Sequence, residues 1–400
     1  MTLASLLFLA ATLIDRTPAI APMFEARAAL GQRDFATATA KMQTALAAVP
    51  NDPALLFTYA QIQMRAGDPA GAMETLGKVA ALGAGFHPDA DPAFKELEKQ
   101  PGYDKLLAKF AEGLPVVERG KPAFTLAERD LRPEGIACDT RSGTLYVSSV
   151  RKKKIVRVTP NGQTKDLVTE GQDGLLGVLG MKLDRTEKTI WVAGSDEESA
   201  HSGLFRFDLK TGKLVEKQML PETERHLLND LDVAPNGDVY ATDTFAGTVY
   251  RFHDGQREEF FKNLPGANGI AFSGDGTRLY VASSGRGIAV IDMKTKALTI
   301  VRVPEKAATV GVDGLYWYKD SLIAIQNVLG RDRVMRYFLS DPTSIARAEI
   351  IDSQHPLFDE PTTGAICRGA FYYFANTQLG RTDLAALKPI VILKTPLAAR

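Results

Sequence analysis

The chain has 400 residues, with 48 lysines and arginines against 48 aspartates and glutamates, 45% hydrophobic and 24% charged. That length fits two or three domains and at least one large core, and the balance excludes wholesale disorder and collagen-like repeats. Zero net charge argues against a duplex-coating nucleic-acid binder, which needs a basic excess to neutralise phosphates, and no stretch reaches the roughly 18 apolar residues of a membrane span.

The first element is an apolar run, Thr2 to Leu13, followed by Ile14-Asp15-Arg16-Thr17-Pro18-Ala19. Residues 1–21 have signal-peptide length and would address the chain for export, periplasmic or secreted, with the mature protein beginning between Ala19 and Met23. No basic residue precedes the run, and the alternative is a buried first helix in a cytoplasmic protein. Up to Leu114 the chain holds 26 Ala and only two Val, after which Val, Ile, Tyr and Gly-rich turns dominate. Small unbranched residues suit helices and branched or aromatic ones suit strands, so a multidomain chain is expected, a short α domain over 22–114 followed by an all-β domain over 116–400.

The α part carries a period. Gln32-Arg33-Asp34-Phe35-Ala36-Thr37-Ala38 and Ala66-Gly67-Asp68-Pro69-Ala70-Gly71-Ala72 match at a shift of 34, with Met42 answering Leu76 and Ala45 answering Val79. That is the tetratricopeptide length, in which each helical hairpin buries its apolar face against the next. Asn51-Asp52-Pro53 is the helix-start signal between repeats, and the amphipathic stretch Pro92 to Gly113 would cover the last open face. Such repeats serve either as a private packing domain or as a surface for a protein partner.

The β part repeats six times. Segments beginning at Glu134, Leu179, Asn229, Asn268, Asp313 and Thr363 lie 45, 50, 39, 45 and 50 residues apart. Each is followed by a turn and then by strands such as Tyr146-Val-Ser, Tyr240-Ala-Thr and Val249-Tyr-Arg-Phe. Four short strands per 40 to 50 residues predict a propeller blade, hence a six-bladed β-propeller, with Phe124 to Glu128 pairing in the last blade to close the ring. The second residue of each segment after the start is apolar (Ile136, Met181, Leu231, Ile270, Leu315, Ala365), and the fourth is apolar or Cys, a period-two seam between blades. Cys138 and Cys367 fall in that seam, where buried free thiols are expected rather than a disulfide.

The starting position breaks the apolar rule. Glu134, Asn229, Asn268 and Asp313 would converge at one level of the central channel, and two acids at close quarters repel unless one is protonated or a cation lies between them. Carboxylate and amide oxygens without Cys or His suit a hard ion such as Ca²⁺ better than Zn²⁺ or Cu²⁺. The alternative is a water-filled polar channel.

From Phe124 to about Leu397 these residues resemble the six-bladed propellers of the regucalcin/gluconolactonase family, whose relatives include paraoxonase-type lactonases and diisopropyl-fluorophosphatase. The resemblance rests on Arg132-Pro133-Glu134-Gly135, on Asn229-Asp230 with Asn236-Gly237-Asp238-Val239-Tyr240 and Thr242-Asp243, on Asn268-Gly269-Ile270-Ala271-Phe272, and on Asp313-Gly314. It implies that Glu134, Asn229, Asn268 and Asp313 surround a catalytic divalent cation, commonly calcium. Sugar-lactone-hydrolysing members resemble one another in an Arg two residues before the blade-three Asn, and here that position is Leu227, with Arg225 and His226 out of register.

The expected activity is therefore metal-dependent hydrolysis of a small lactone or ester, with Asp313 as base or nucleophile and Asn229 orienting substrate or water. Loops sharing the mouth place Arg225, His226, His201, Arg286 and His355 as candidate substrate-rim residues, beside Arg151-Lys-Lys-Lys154 and Asn327 to Arg333; each histidine and charge run also reads as a solvated turn. Gly174 to Gly180 lacks the Lys-Ser/Thr of a phosphate loop and reads as an apolar wall. No nucleophile elbow, His-Glu-x-x-His or CxxC competes. The rival is a non-catalytic propeller joined to a helical-repeat adaptor.

Overall fold

The computed structural model describes residues 13–196 and 201–397. The run Thr2–Thr12, central to the export expectation, lies outside the described residues, as do residues 197–200 and 398–400. Two compact units form: Met1–Leu114 with Ile300–Ala308 and Phe338–Ala348, and the remainder of the chain.

The first unit holds two helical hairpins, α1 (Thr17–Gly31) with α2 (Phe35–Ala48) and α3 (Pro53–Arg65) with α4 (Pro69–Leu82), then a 3-10 stretch at Pro92–Lys99 and α5 (Tyr103–Gly113). The 34-residue period is a cap-to-cap period. Asp34 accepts from Thr37 N and Asp68 from Gly71 N, each opening the second helix of its hairpin, which satisfies an otherwise orphaned donor. The matched pairs Ala38 and Ala72, Met42 and Leu76, and Ala45 and Val79 are all buried. Asp52 caps α3 through Ala54 N and Leu55 N at 2.8 and 3.0 Å while its other oxygen takes the buried Arg16 guanidinium. Ala19 and Met23, which bracket the expected cleavage position, are buried on α1. A two-residue strand, Leu13–Ile14, pairs with Val303–Pro304.

The second unit is a six-bladed propeller. Its innermost strands are Ile136–Cys138, Gly177–Leu183, Leu228–Val233, Ala267–Phe272, Val312–Trp317 and Gly364–Cys367, each at the edge of its own antiparallel sheet. The last blade takes its outermost strand from Lys121–Leu126, with Phe124 opposite Ile392 and Leu126 opposite Ile390, so the ring closes without an open edge. Blade five carries an edge strand that the repeat pattern did not signal, Val117–Glu118 against Asp352 and Ser353. The seam residues Ile136, Met181, Leu231, Ile270 and Leu315 are buried as the period-two pattern predicts.

The expectation of free thiols at Cys138 and Cys367 is corrected: the two form a disulfide, with Cα atoms 5.9 Å apart across 229 residues of sequence. Blades one and six are the most distant repeats in the chain but neighbours in a closed ring. Equivalent seam positions on the two therefore meet within disulfide reach.

Candidate active site at the channel mouth

Side chains alternate along a strand, so residues two apart share a face and a regular ladder would carry each starting residue into the apolar seam. The ladders avoid this by losing register at those residues: between Val178 and Met181, Leu228 and Leu231, Ala267 and Ile270, and Val312 and Leu315. Such bulges re-aim side chains. In blade one, pairing begins only at Ile136, and the buried Ser148 hydroxyl accepts from Glu134 N and Gly135 N at 2.9 and 2.7 Å. Thr242, the corresponding hydroxyl of blade three, accepts from Asp230 N at 3.1 Å and donates to Asn268 O at 2.8 Å.

The next position in the repeat is Gly in five blades. A Cβ on Gly135 would strike the carbonyl of Leu179, and one on Gly269 would come within 2.6 Å of Leu315 N; only glycine lets neighbouring inner strands approach so closely. Blade three has Asp230 there instead, so a carboxyl enters the channel wall. Burial pushes Asp230 up to about 7, with the Lys182 ammonium pulling the other way. Lys182 Nζ lies 3.3 Å from Asp232 Oδ1. Lys182, Asp230, Asp232 and Tyr316 line a channel cavity of about 450 Å³ that runs from the glycine row toward the far ends of the inner strands.

At the mouth Asn229 Nδ2 donates to Thr244 Oγ1 at 3.0 Å, which donates to Ala267 O beside Asn268. Asn327 Nδ2 donates to Asp313 Oδ2 at 2.7 Å, and Thr363 Oγ1 donates to Glu134 O at 2.6 Å. Glu134 Oε2 is buried without a hydrogen-bond partner. Burial, then the charges of Asp313, Glu360 and Asp230, drive the Glu134 carboxyl well above the usual range, with the Thr362 hydroxyl opposing. Asp313 is pushed up to about 6 by burial, with the Asn327 and Asn268 amides opposing and Glu360 adding to the rise.

No lysine or arginine is among the leading influences on either carboxyl, and burial of the Glu134–Asp313 pair disfavours its charged form. An orphaned carboxylate oxygen beside a second acid and two amides fits a hard divalent cation. Among the described residues no three His, Cys, Asp or Glu side chains form a metal-binding group; half of this donor set is amide.

The rim candidates divide. His226 is buried, its Nδ1 2.6 Å from Asp243 Oδ2, and the Arg225 guanidinium stacks 4.9 Å over Phe245. His201 opens the third strand of blade two, 3.3 Å from Glu222. Arg286 is half-buried in the turn before Gly287, and burial lowers its pKa. His355 is committed to backbone, bonded to Gly120 O at 3.2 Å and accepting from Leu357 N at 3.1 Å. The bonds that hold the ring come from Ser148, Thr242, Thr244, Asn327 and Thr363, with no histidine among them. The basic run at 151–154 is answered by Glu128, Asp130 and Asp166. Sequence reasoning missed Glu360; its only signal is an acid followed by Pro361 at the entrance to an inner strand, as Glu134 follows Pro133.

Residues 132–317 match the family model of the SMP-30/Gluconolactonase/LRE-like region, and residues 29–99 match a tetratricopeptide repeat model. The first match falls on the propeller and the second on the helical hairpins, so the chain is similar to these two families over those stretches. Blade six and all of blade five after its inner strand lie beyond the matched stretch, and the propeller is completed by structure rather than by motif. Regucalcin of Agrobacterium tumefaciens, a calcium-binding protein, is similar with a TM-score of 0.54 at 17% identity, over 72% of this chain and 98% of that one. A gluconolactonase of Xanthomonas campestris is similar with a TM-score of 0.50 at 17% identity, over 71% and 97%. These likenesses show the fold. No curated protein gives a significant match to the chain. No helix among the described residues is long and apolar enough to cross a membrane.

Proposed function

We propose that the chain is a divalent-metal-dependent hydrolase of the lactonase type, calcium being the ion its oxygen donors suit best, acting on a small lactone or ester at the channel mouth. The observation that carries this reading is the buried, unpartnered Glu134 oxygen facing the field of Asp313. Glu134, Asn229, Asn268 and Asp313 would hold the ion, which when bound supplies charge to polarise the carbonyl and to stabilise the oxyanion that develops on it.

Asp313, oriented by Asn327, serves as base or nucleophile. As base it would take the proton of the water that attacks the carbonyl and return it to the alkoxide as the acyl C–O bond breaks; as nucleophile its carboxylate would displace that alkoxide, which takes a proton from water, and a further water would hydrolyse the resulting anhydride and free the carboxylate. Asn229 has its amide nitrogen anchored on Thr244, which leaves its carbonyl oxygen to orient water or substrate. Export is supported by the Cys138–Cys367 bridge, since disulfides persist in oxidising compartments.

The second reading, a binding adaptor using its helical hairpins, is favoured by the tetratricopeptide match. The deciding experiment is hydrolysis of neutral lactones and phosphotriesters by purified protein with calcium and with chelator. Chelator-sensitive turnover supports the hydrolase. No turnover, together with no calcorimetric calcium binding at millimolar concentration, turns the assignment to the adaptor.

A further inference from the structure

Blade six enters its inner strand through Glu360-Pro361-Thr362-Thr363, and this entry is bonded to the neighbourhood of both ring acids. Pro361 O accepts from Asn327 Nδ2 at 3.1 Å, the same amide that donates to Asp313 Oδ2. Thr362 O accepts at 3.0 Å from the backbone of Gly314, the residue after Asp313. Thr363 spends its hydroxyl on Glu134 O. Four residues of blade six thus join blade five on one side to blade one on the other.

The path of the entry is strained and held. Glu360 has φ +68°, the left-handed region, although it carries a side chain and precedes a proline. Thr377 fixes it there, donating to Glu360 O from its N–H at 3.3 Å and from its hydroxyl at 2.6 Å, and Gly380 N donates to Glu360 Oε2 at 2.8 Å. A strained residue persists only where its surroundings over-determine it, and such residues gather at functional sites.

Within this entry Thr362 is 2% exposed, and its Oγ1 is buried without a hydrogen-bond partner, as is Glu134 Oε2. The Thr362 hydroxyl favours the charged form of the Glu134 carboxyl, which puts the two orphaned oxygens in one neighbourhood. A hydroxyl has one proton to give, and a carboxylate only accepts. Two buried polar atoms left unpaired cost stability that a bond between them recovers once the carboxylate is charged.

We propose that Thr362 is a positioning residue for the ring cation, its hydroxyl donating to the Glu134 carboxylate and fixing it for the ion. This rests on the divalent cation of the hydrolase reading and goes beyond it, because it gives blade six, which contributes none of the four donors, a part in holding the ion. Partners that orient a metal's ligands are commonly worth ten- to a hundredfold in affinity.

The test compares wild type with Thr362→Val, which keeps the branched shape and loses the hydroxyl, and Thr362→Ser, which keeps the hydroxyl. Calcium affinity is read by calorimetry, and melting temperature is read with chelator. Thr362→Val should bind calcium roughly ten- to a hundredfold more weakly, while its melting temperature with chelator stays level or rises, since an orphaned buried hydroxyl has gone. Thr362→Ser should bind close to wild type. Wild-type affinity in Thr362→Val overturns this inference and leaves the hydrolase reading standing. Equal loss in both variants, or a lower melting temperature of Thr362→Val with chelator, assigns the side chain to packing and overturns it as well. No calcium binding by the wild-type chain at millimolar concentration overturns both.

Discussion

Asn268 and Phe272 stand four residues apart on one strand and obey opposite rules. Phe272 is buried edge-on against Tyr240, with ring centroids 5.1 Å apart, in the seam that holds blades together. Asn268 sits where the ladder slips, and it joins two carboxyls that burial has driven toward protonation. The seam stabilises the fold by removing apolar surface from water. The ring costs stability, which is what a site that must bind something charged does before it is filled.

The comparison breaks most visibly at Asp313. Asp313→Asn keeps an oxygen at the mouth and removes one buried charge and the base or nucleophile, so turnover should fall roughly 100- to 10,000-fold while the melting temperature stays level or rises. Turnover within tenfold of wild type would remove the ring from the mechanism. Phe272→Ala should do the reverse, costing about 3–5 kcal/mol in denaturant unfolding with little change in turnover per folded molecule. An equal loss of both properties would show that seam and ring are not separable.

Most of the seam was legible in the sequence because burial writes itself as a period of two, and the starting ring was legible as the exception to it. Register slips were not legible, since a bulge depends on which residues pair across strands. Nor was the Cys138–Cys367 bridge, which depends on ring closure, nor Glu360, which enters from a connection outside the repeat. Asn327 lay in a loop assigned to the mouth, but no spacing rule ties it to Asp313.

The two regions should also separate with pH. Asp313 at about 6 and Asp230 at about 7 hold their protons more tightly in the folded chain than the ordinary value of 3.8, and burial raises Glu134 well above its ordinary range too. Between those values the folded state binds more protons than the unfolded one. Stability of chelated protein should therefore decline as pH rises from about 4 to 7. Calcium at pH 7 should restore it. A profile that is flat with chelator would mean that the ring carboxyls are not desolvated.

The smallest effect concerns the ion itself. Glu134→Gln keeps one side-chain oxygen and removes one of two charges, so calcium affinity by calorimetry should fall by roughly tenfold to a hundredfold. Asp313 remains to do chemistry, and excess calcium should recover part of the turnover; Asp313→Asn should show no such rescue. The contrast assigns holding to one acid and chemistry to the other. If calcium rescues both variants equally, the two carboxyls act only as ligands, and the proton must move through another group, for which the buried His226–Asp243 pair is a candidate.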